Sequence, residues 1–223
     1  MSAPQSYYVP VDAGEAEFTE KRSRFLGHVR RVETEAEART FLDEMRKKYY
    51  DARHNCWCYV LREGGVVRYG DDGEPQGTAG QPMLNVFQRE GVENVVCVVT
   101  RYFGGVLLGA GGLTRAYAKS AKDALDAAGK ARMRLWSAVT VDCPYPMLER
   151  LKLLAAAHGG TVEGTDFGAV VSVCILLPQE NAAGFDAALT ELSAGTMTAR
   201  REGERFLPGP REEKQEKARR NDR

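Results

Sequence analysis

The sequence predicts an α+β chain built as two α/β sandwich domains, and three observations predict it. Short β-branched runs alternate with capped, helix-period runs along the chain. The 223 residues, 43% of them hydrophobic, suit one large or two small domains with real cores. The second half reads in the order β-α-β-β-α-β, the ferredoxin-like order.

That second half is the easier to parse. "LWSAVTVDC" (135–143) is β-branched and alternating, hence a strand. "PMLERLKLLAAAHGG" (146–160) opens with Pro146 and closes with Gly159–Gly160, as helices do. Met147, Leu148, Leu151, Leu154 and Ala155 fall on one of its faces. "TVEGTDFGAVVSVCILLP" gives two strands around a Gly164–Gly168 turn. "QENAAGFDAALTELSAG" (179–195) gives a helix and "TMTARRE" (196–202) a last strand.

In the first half, "EFTEKRSRFLGHVRRV" (17–32) is extended. "TEAEARTFLDEMRKKYY" (34–50) is a helix: Thr34 and Glu37 make a capping box, acids lead and bases trail. "RHNCWCYVLR" and "GVVRYG" form a hairpin around Glu63–Gly64, and "DDGEPQGTAGQP" is a loop. A short helix (82–91), a buried strand "NVVCVVT" (94–100) and a helix "LTRAYAKSAKDALDAAG" (113–129) follow, the last with Leu113, Tyr117, Ala121 and Ala124 on one face. Residues 129–135 are expected as a linker, so the domains fall at 1–130 and 136–203. The charged stretch 208–223 has no apolar pattern and is expected to be disordered.

Composition excludes several classes of partner. Lys plus Arg is 31 and Asp plus Glu is 31, so no global field selects DNA or a membrane. Residues 135–207 carry 5 basic and 9 acidic groups, a poor general binder of phosphate backbones. A nucleic acid would therefore be met by a local patch of the first half. Five cysteines, an odd number placed mostly in β-like runs, suit a reducing cytoplasm. The start "MSAPQSYYVP" has neither the charged nor the apolar region of a signal peptide, and no apolar run reaches membrane length.

Four constellations are candidates for chemistry. "RYFGGVLLGAGGLTR" places Gly104, Gly105, Gly109, Gly111 and Gly112 between a strand and a helix, the parts of a phosphate cradle. The P-loop pattern fits Gly104 and Gly109 but fails at Ala110 and Gly111, and the dinucleotide pattern fails at Thr114. The glycines therefore either leave helix-start amides to an anion, assisted by Thr114 and Arg115, or let backbone pack on backbone. Asp71, Asp72 and Glu74 could hold a cation or move protons, or could pair with Arg53 or Arg101 in a polar turn. His54, Cys56 and Cys58 share a strand face, but His54 and Cys58 lie about 13 Å apart on a straight strand, too far for one metal. Arg101 ends a buried strand, where it could clamp an anion or satisfy Asp71 and Asp72.

Taken together, "KRSRFLGHV", "DARHNCWCYV", "DDGEPQGTAGQPML" and "VVTRYFGGVLLGAGGLTRAYAKSA" closely resemble the IMPACT family, in its bacterial YigZ branch, over roughly residues 15–128. Residues 136–201 resemble the small domain of unknown function that follows in bacterial members. The resemblance implies an N-terminal domain with the fold of the second domain of a small-subunit ribosomal protein, shared with GHMP kinases. The motif positions matched are His54, Asp71, Asp72, Gly73, Glu74, Pro75, Gly77, Thr78, Gly80, Arg101 and the 104–113 run, with Asn55 where many members have a second histidine.

The expected function is that of a cytoplasmic, non-enzymatic regulator linked to translation, with neither cofactor nor metal. It would contact RNA, a ribosome-associated partner or another anion through Arg101, the 104–112 loop, Thr114, Arg115, Arg22 and Arg24. The alternative is an enzyme acting on a phosphorylated or peptide-like molecule in a cleft of His54, Asp71, Asp72 and Glu74 facing the glycine loop.

Overall fold

The computed structural model describes residues 7–212. It is a mixed α/β structure whose residues cluster into two compact units, divided between Arg132 and Met133 and again between Leu207 and Pro208.

In the first unit, β2 (Gly14–Glu20), β3 (Ser23–Arg31), β4 (His54–Leu61), β5 (Val66–Gly70) and β6 (Val95–Tyr102) form an antiparallel sheet in the order β2-β3-β6-β4-β5. Central β6 shows why the sequence folds this way. Val95, Cys97 and Val99 enter one core, with α2 (Gly80–Glu90) and α3 (Ala110–Ala128). Val96 and Val98 enter the other, against α1 (Glu35–Lys48). A strand buried on both faces reads as a continuous apolar run, as "VVCVV" does. Half of the Thr34 capping box forms: the Thr34 side chain accepts the Glu37 N–H, while the Glu37 carboxylate takes the Glu33 amide one residue earlier.

In the second unit, β7 (Lys130–Cys143), α4 (Leu148–Ala157), β8 (Thr161–Phe167), β9 (Val171–Pro178), α5 (Ala182–Ser193) and β10 (Ala199–Arg211) follow in the expected β-α-β-β-α-β succession. β9 lies between β7 and β8, and β10 also pairs with β7. The core gathers Val139, Val141, Ile175, Leu151 and Phe185.

Several boundaries differ from the sequence reading. The extended stretch 17–32 is two strands turned at Lys21 and Arg22, both at positive φ. No linker occupies 129–135: Lys130–Arg132 pair with a short first strand, β1 (Tyr8–Pro10), and β7 runs on from there. Gly164 is not a turn residue; it lies within β8 at a register shift. β10 reaches Arg211, so residues 208–211 are strand, because their backbone has a partner in β7. The rest of the expected tail, 213–223, lies outside the described residues.

Candidate functional site

Strand register assembles a polar cluster at one end of the first unit's sheet. His54 and Phe25 are the cross-strand partners of Arg101 on either side. All three have the parity that points toward α3, as do Ser23 and Cys56. Arg101 is 4% exposed and donates to Glu74 Oε1 at 2.6 Å and to Ser23 Oγ at 3.3 Å, with its Nε unpartnered. Tyr117, from the middle of α3, donates its hydroxyl to the same Glu74 oxygen at 2.8 Å. A buried carboxylate with two donors, one charged, is the satisfied form that burial demands. The Arg101 guanidinium also lies 5.5 Å from the ring centres of Phe25 and Phe103.

The remaining acids are spent on backbone. Asp71 accepts the amide hydrogens of Gly77 (2.7 Å), Ala79 (3.1 Å) and Gly80 (2.8 Å), closing the start of α2. Asp72 accepts the Asn55 amide at 2.6 Å, and Thr78 donates its hydroxyl to the Pro75 carbonyl at 2.6 Å. His54 Nδ1 lies 2.8 Å from the Asp72 carbonyl, so Nδ1 carries the proton and Nε2 is left 3.9 Å from Glu74 Oε1. Cys56 donates to the Asp71 carbonyl, and burial pushes its thiol pKa up, against thiolate chemistry. Burial, and after it Cys56, raises the Tyr117 hydroxyl as well. Among the described residues no group of three or more His, Cys, Asp or Glu is arranged to hold a metal.

Two sequence expectations are corrected here. Arg101 does not pair with Asp71 or Asp72, whose carboxylates are already filled; its partner is Glu74. Nor is Arg101 open to a soluble anion, because burial and that ion pair occupy it. The acids and His54 do come together, but the carboxylates turn inward onto amides, Arg101 and Tyr117 rather than into a cleft.

The glycine loop is built for close packing at its start. A Cβ on Gly104 would lie 2.0 Å from the Arg22 carbonyl carbon, and the Gly104 amide donates to Ser23 Oγ. Gly105 and Gly109 have positive φ and, like Gly111, are exposed, while Val106 and Leu107 project outward. Gly112 lets the chain fold back, since a Cβ there would be 3.0 Å from Leu108 Cβ. α3 begins at Ala110, three residues before the sequence reading placed it, so Gly111 and Gly112 belong to its first turn; it has no side-chain cap, and its first amides stay open.

That fold-back builds the wall of a groove of about 160 Å³ between the β2–β3 turn and α3. Phe18, Leu108 and Ala116 supply its apolar surface; Glu20, Lys21, Arg115 and Lys119 supply its charge. Lys119 pairs with Asp123 and sits 4.4 Å over the Phe18 ring. Lys21, Arg22 and Arg115 are exposed and, among the described residues, have no ion-pair or hydrogen-bond partner. Thr114 is half-buried one residue before Arg115. Arg24, expected nearby, is paired with Glu17 at 2.9 Å and stacks on Tyr102.

Sequence reasoning missed Ser23, Tyr117 as a donor, and the Phe18, Lys21 and Lys119 part of the groove. For Tyr117 a signal existed: a tyrosine on an apolar helix face must find a partner for its hydroxyl.

Comparison with known proteins extends the geometry. The Impact N-terminal domain matches residues 21–125, and a domain of unknown function, DUF1949, matches residues 141–196. The chain is 42% identical to IMPACT family member YvyE of Bacillus subtilis over 66% of this chain and 68% of that one. It is 34% identical to IMPACT family member YigZ of Escherichia coli over 79% of this chain and 88% of that one. A crystal structure of a hypothetical protein, 32% identical, superposes with a TM-score of 0.56, covering 88% of this chain and 97% of that one.

Proposed function

The chain belongs to the IMPACT family, in its bacterial YigZ-like branch, and on that premise we propose that it is a non-enzymatic, cytosolic regulator linked to translation that binds RNA through its phosphates. The binding edge is the β2–β3 turn and the start of α3, with Lys21, Arg22 and Arg115 as phosphate contacts and the open α3 amides beside them. One observation carries this reading. Arg24, Arg30, Arg31 and Arg62 of the same unit are paired with acids, whereas Lys21 and Arg115 line one groove and Arg22 sits in the adjoining turn, none of the three with an ion-pair partner among the described residues. Free clustered cations are what a phosphate backbone recruits.

The proposal includes the finer fold reading: domain 1–130 with the fold of the ribosomal-protein second domain, and domain 136–203 ferredoxin-like. The strand succession and the β8-β9-β7 order support the latter. The test is anisotropy of labelled RNA titrated with the protein at about 50 and about 200 mM salt, where several phosphate contacts cost orders of magnitude in affinity. Binding that weakens steeply with salt supports the reading; absence of binding at both refutes it.

A second reading, an enzyme on a phosphorylated or peptide-like small molecule, rests on His54. Its Nδ1–H is fixed by a carbonyl, which leaves Nε2 available as a base. A turnover lost in His54→Gln and unaffected by Arg115→Ala would favour it.

A further inference from the structure

We infer that the groove beside α3 admits one unstacked nucleobase, so that this protein takes RNA as a single strand in preference to a duplex. The inference rests on the phosphate-binding reading above and adds to it the form of the RNA.

The groove is not a bare cationic surface. Its floor is the Phe18 ring, stacked on Phe25 with centres 5.2 Å apart and planes 10° apart. Phe25 is itself braced by Tyr117 edge-on at 5.4 Å, so the floor is rigid down to the Glu74–Arg101 cluster. One wall is Leu108, which lies so close to Gly112 that a Cβ there would come within 3.0 Å of it. At about 160 Å³ the space is well below the ~300 Å³ at which drug-sized ligand sites begin. It suits a single planar ring system and excludes a base pair.

Charge and aromatic surface occur together here. Lys21 and Arg115 stand on the rim without partners among the described residues, while the Lys119 ammonium covers the Phe18 face at 4.4 Å. An entering base displaces that ammonium from the ring toward its Asp123 partner, and Lys21 and Arg115 meet the adjoining phosphate, so one nucleotide satisfies floor and rim at once. Base-on-aromatic stacking of this kind is tolerant of sequence. A duplex offers its phosphates to the same rim, but its bases are stacked and paired and cannot reach Phe18.

The test titrates the full chain, at one salt concentration, with a single-stranded RNA, its duplex, and inorganic polyphosphate. The single strand is expected to bind at least about 5-fold more tightly than the duplex, the lower bound for one stacked base. Phe18→Leu, which keeps the apolar floor but not the aromatic face, should abolish that margin, whereas Arg115→Ala should weaken all three. If Phe18→Leu does not fold, the wild-type comparison decides alone. Equal binding of single strand and duplex, or a margin that survives Phe18→Leu, overturns the nucleobase inference and leaves phosphate binding standing. Failure to bind any of the three overturns both.

Discussion

Replacing Glu74 with alanine strands a charge. Arg101 is 4% exposed, and without Glu74 its only remaining side-chain acceptor among the described residues is Ser23 Oγ at 3.3 Å. Its Nε is already unpartnered, and Tyr117 would lose its acceptor too. Removing one member of a buried ion pair costs about 3–5 kcal/mol, because the other charge stays behind uncompensated. With a urea m-value of about 2 kcal/mol/M, the midpoint should fall by about 1.5–2.5 M. The chain has 2 tryptophans, Trp57 in the first unit and Trp136 in the second, so a Trp136→Phe background lets Trp57 fluorescence follow the affected unit. The double change Glu74→Leu with Arg101→Met removes both charges and should recover most of the loss. A loss under about 1 kcal/mol for Glu74→Ala, or a double variant no more stable than the single, would refute the reasoning.

Three further outcomes follow from the same structure. Burial lowers the pKa of His28 despite Glu15, with Lys48 acting in the same direction as burial, so the folded ring binds its proton less readily than the unfolded one. Stability should therefore fall as pH drops below about 6.5, and a His28→Gln variant should lose that slope in urea midpoints measured across this range. Of the five cysteines only Cys174 is exposed, so a thiol reagent should label the folded protein fast at one position, and Cys174→Ser should abolish it; a second fast thiol would contradict the buried placement of the other four. Gly104→Ala drives a Cβ into the Arg22 backbone, which cannot swing aside, and should cost about 1–3 kcal/mol in thermal unfolding.

Much of the fold was legible because its signals are local. The Thr34 cap, the period of α3 and the β-branched run of β6 each act within a few residues, and each formed, α3 starting three residues before the pattern put it. What escaped was decided by partners distant in sequence. Residues 208–211 lack an apolar pattern yet are strand, because β7 supplies the hydrogen bonds. Lys21 and Arg22 carry no turn signature of Gly, Pro or Asn, so one extended run concealed a hairpin. The site followed the same rule. Three acids in four residues made Asp71 and Asp72 natural partners for Arg101, but geometry gave Arg101 to Glu74 across 27 positions and gave Asp71 to the start of α2. The glycine loop looked like a cradle; its first glycine turned out to be packed on Arg22, and its last lets Leu108 wall the groove.

The most direct test of the account is the salt dependence of single-stranded RNA affinity, measured for the wild type and for a variant with Lys21, Arg22 and Arg115 all changed to alanine. Each phosphate contact on a single strand contributes about 0.7 to the slope of log affinity against log salt, so losing three should flatten that slope by about 2. A slope unchanged in the triple variant would show that these cations do not meet the RNA, and would contradict the account.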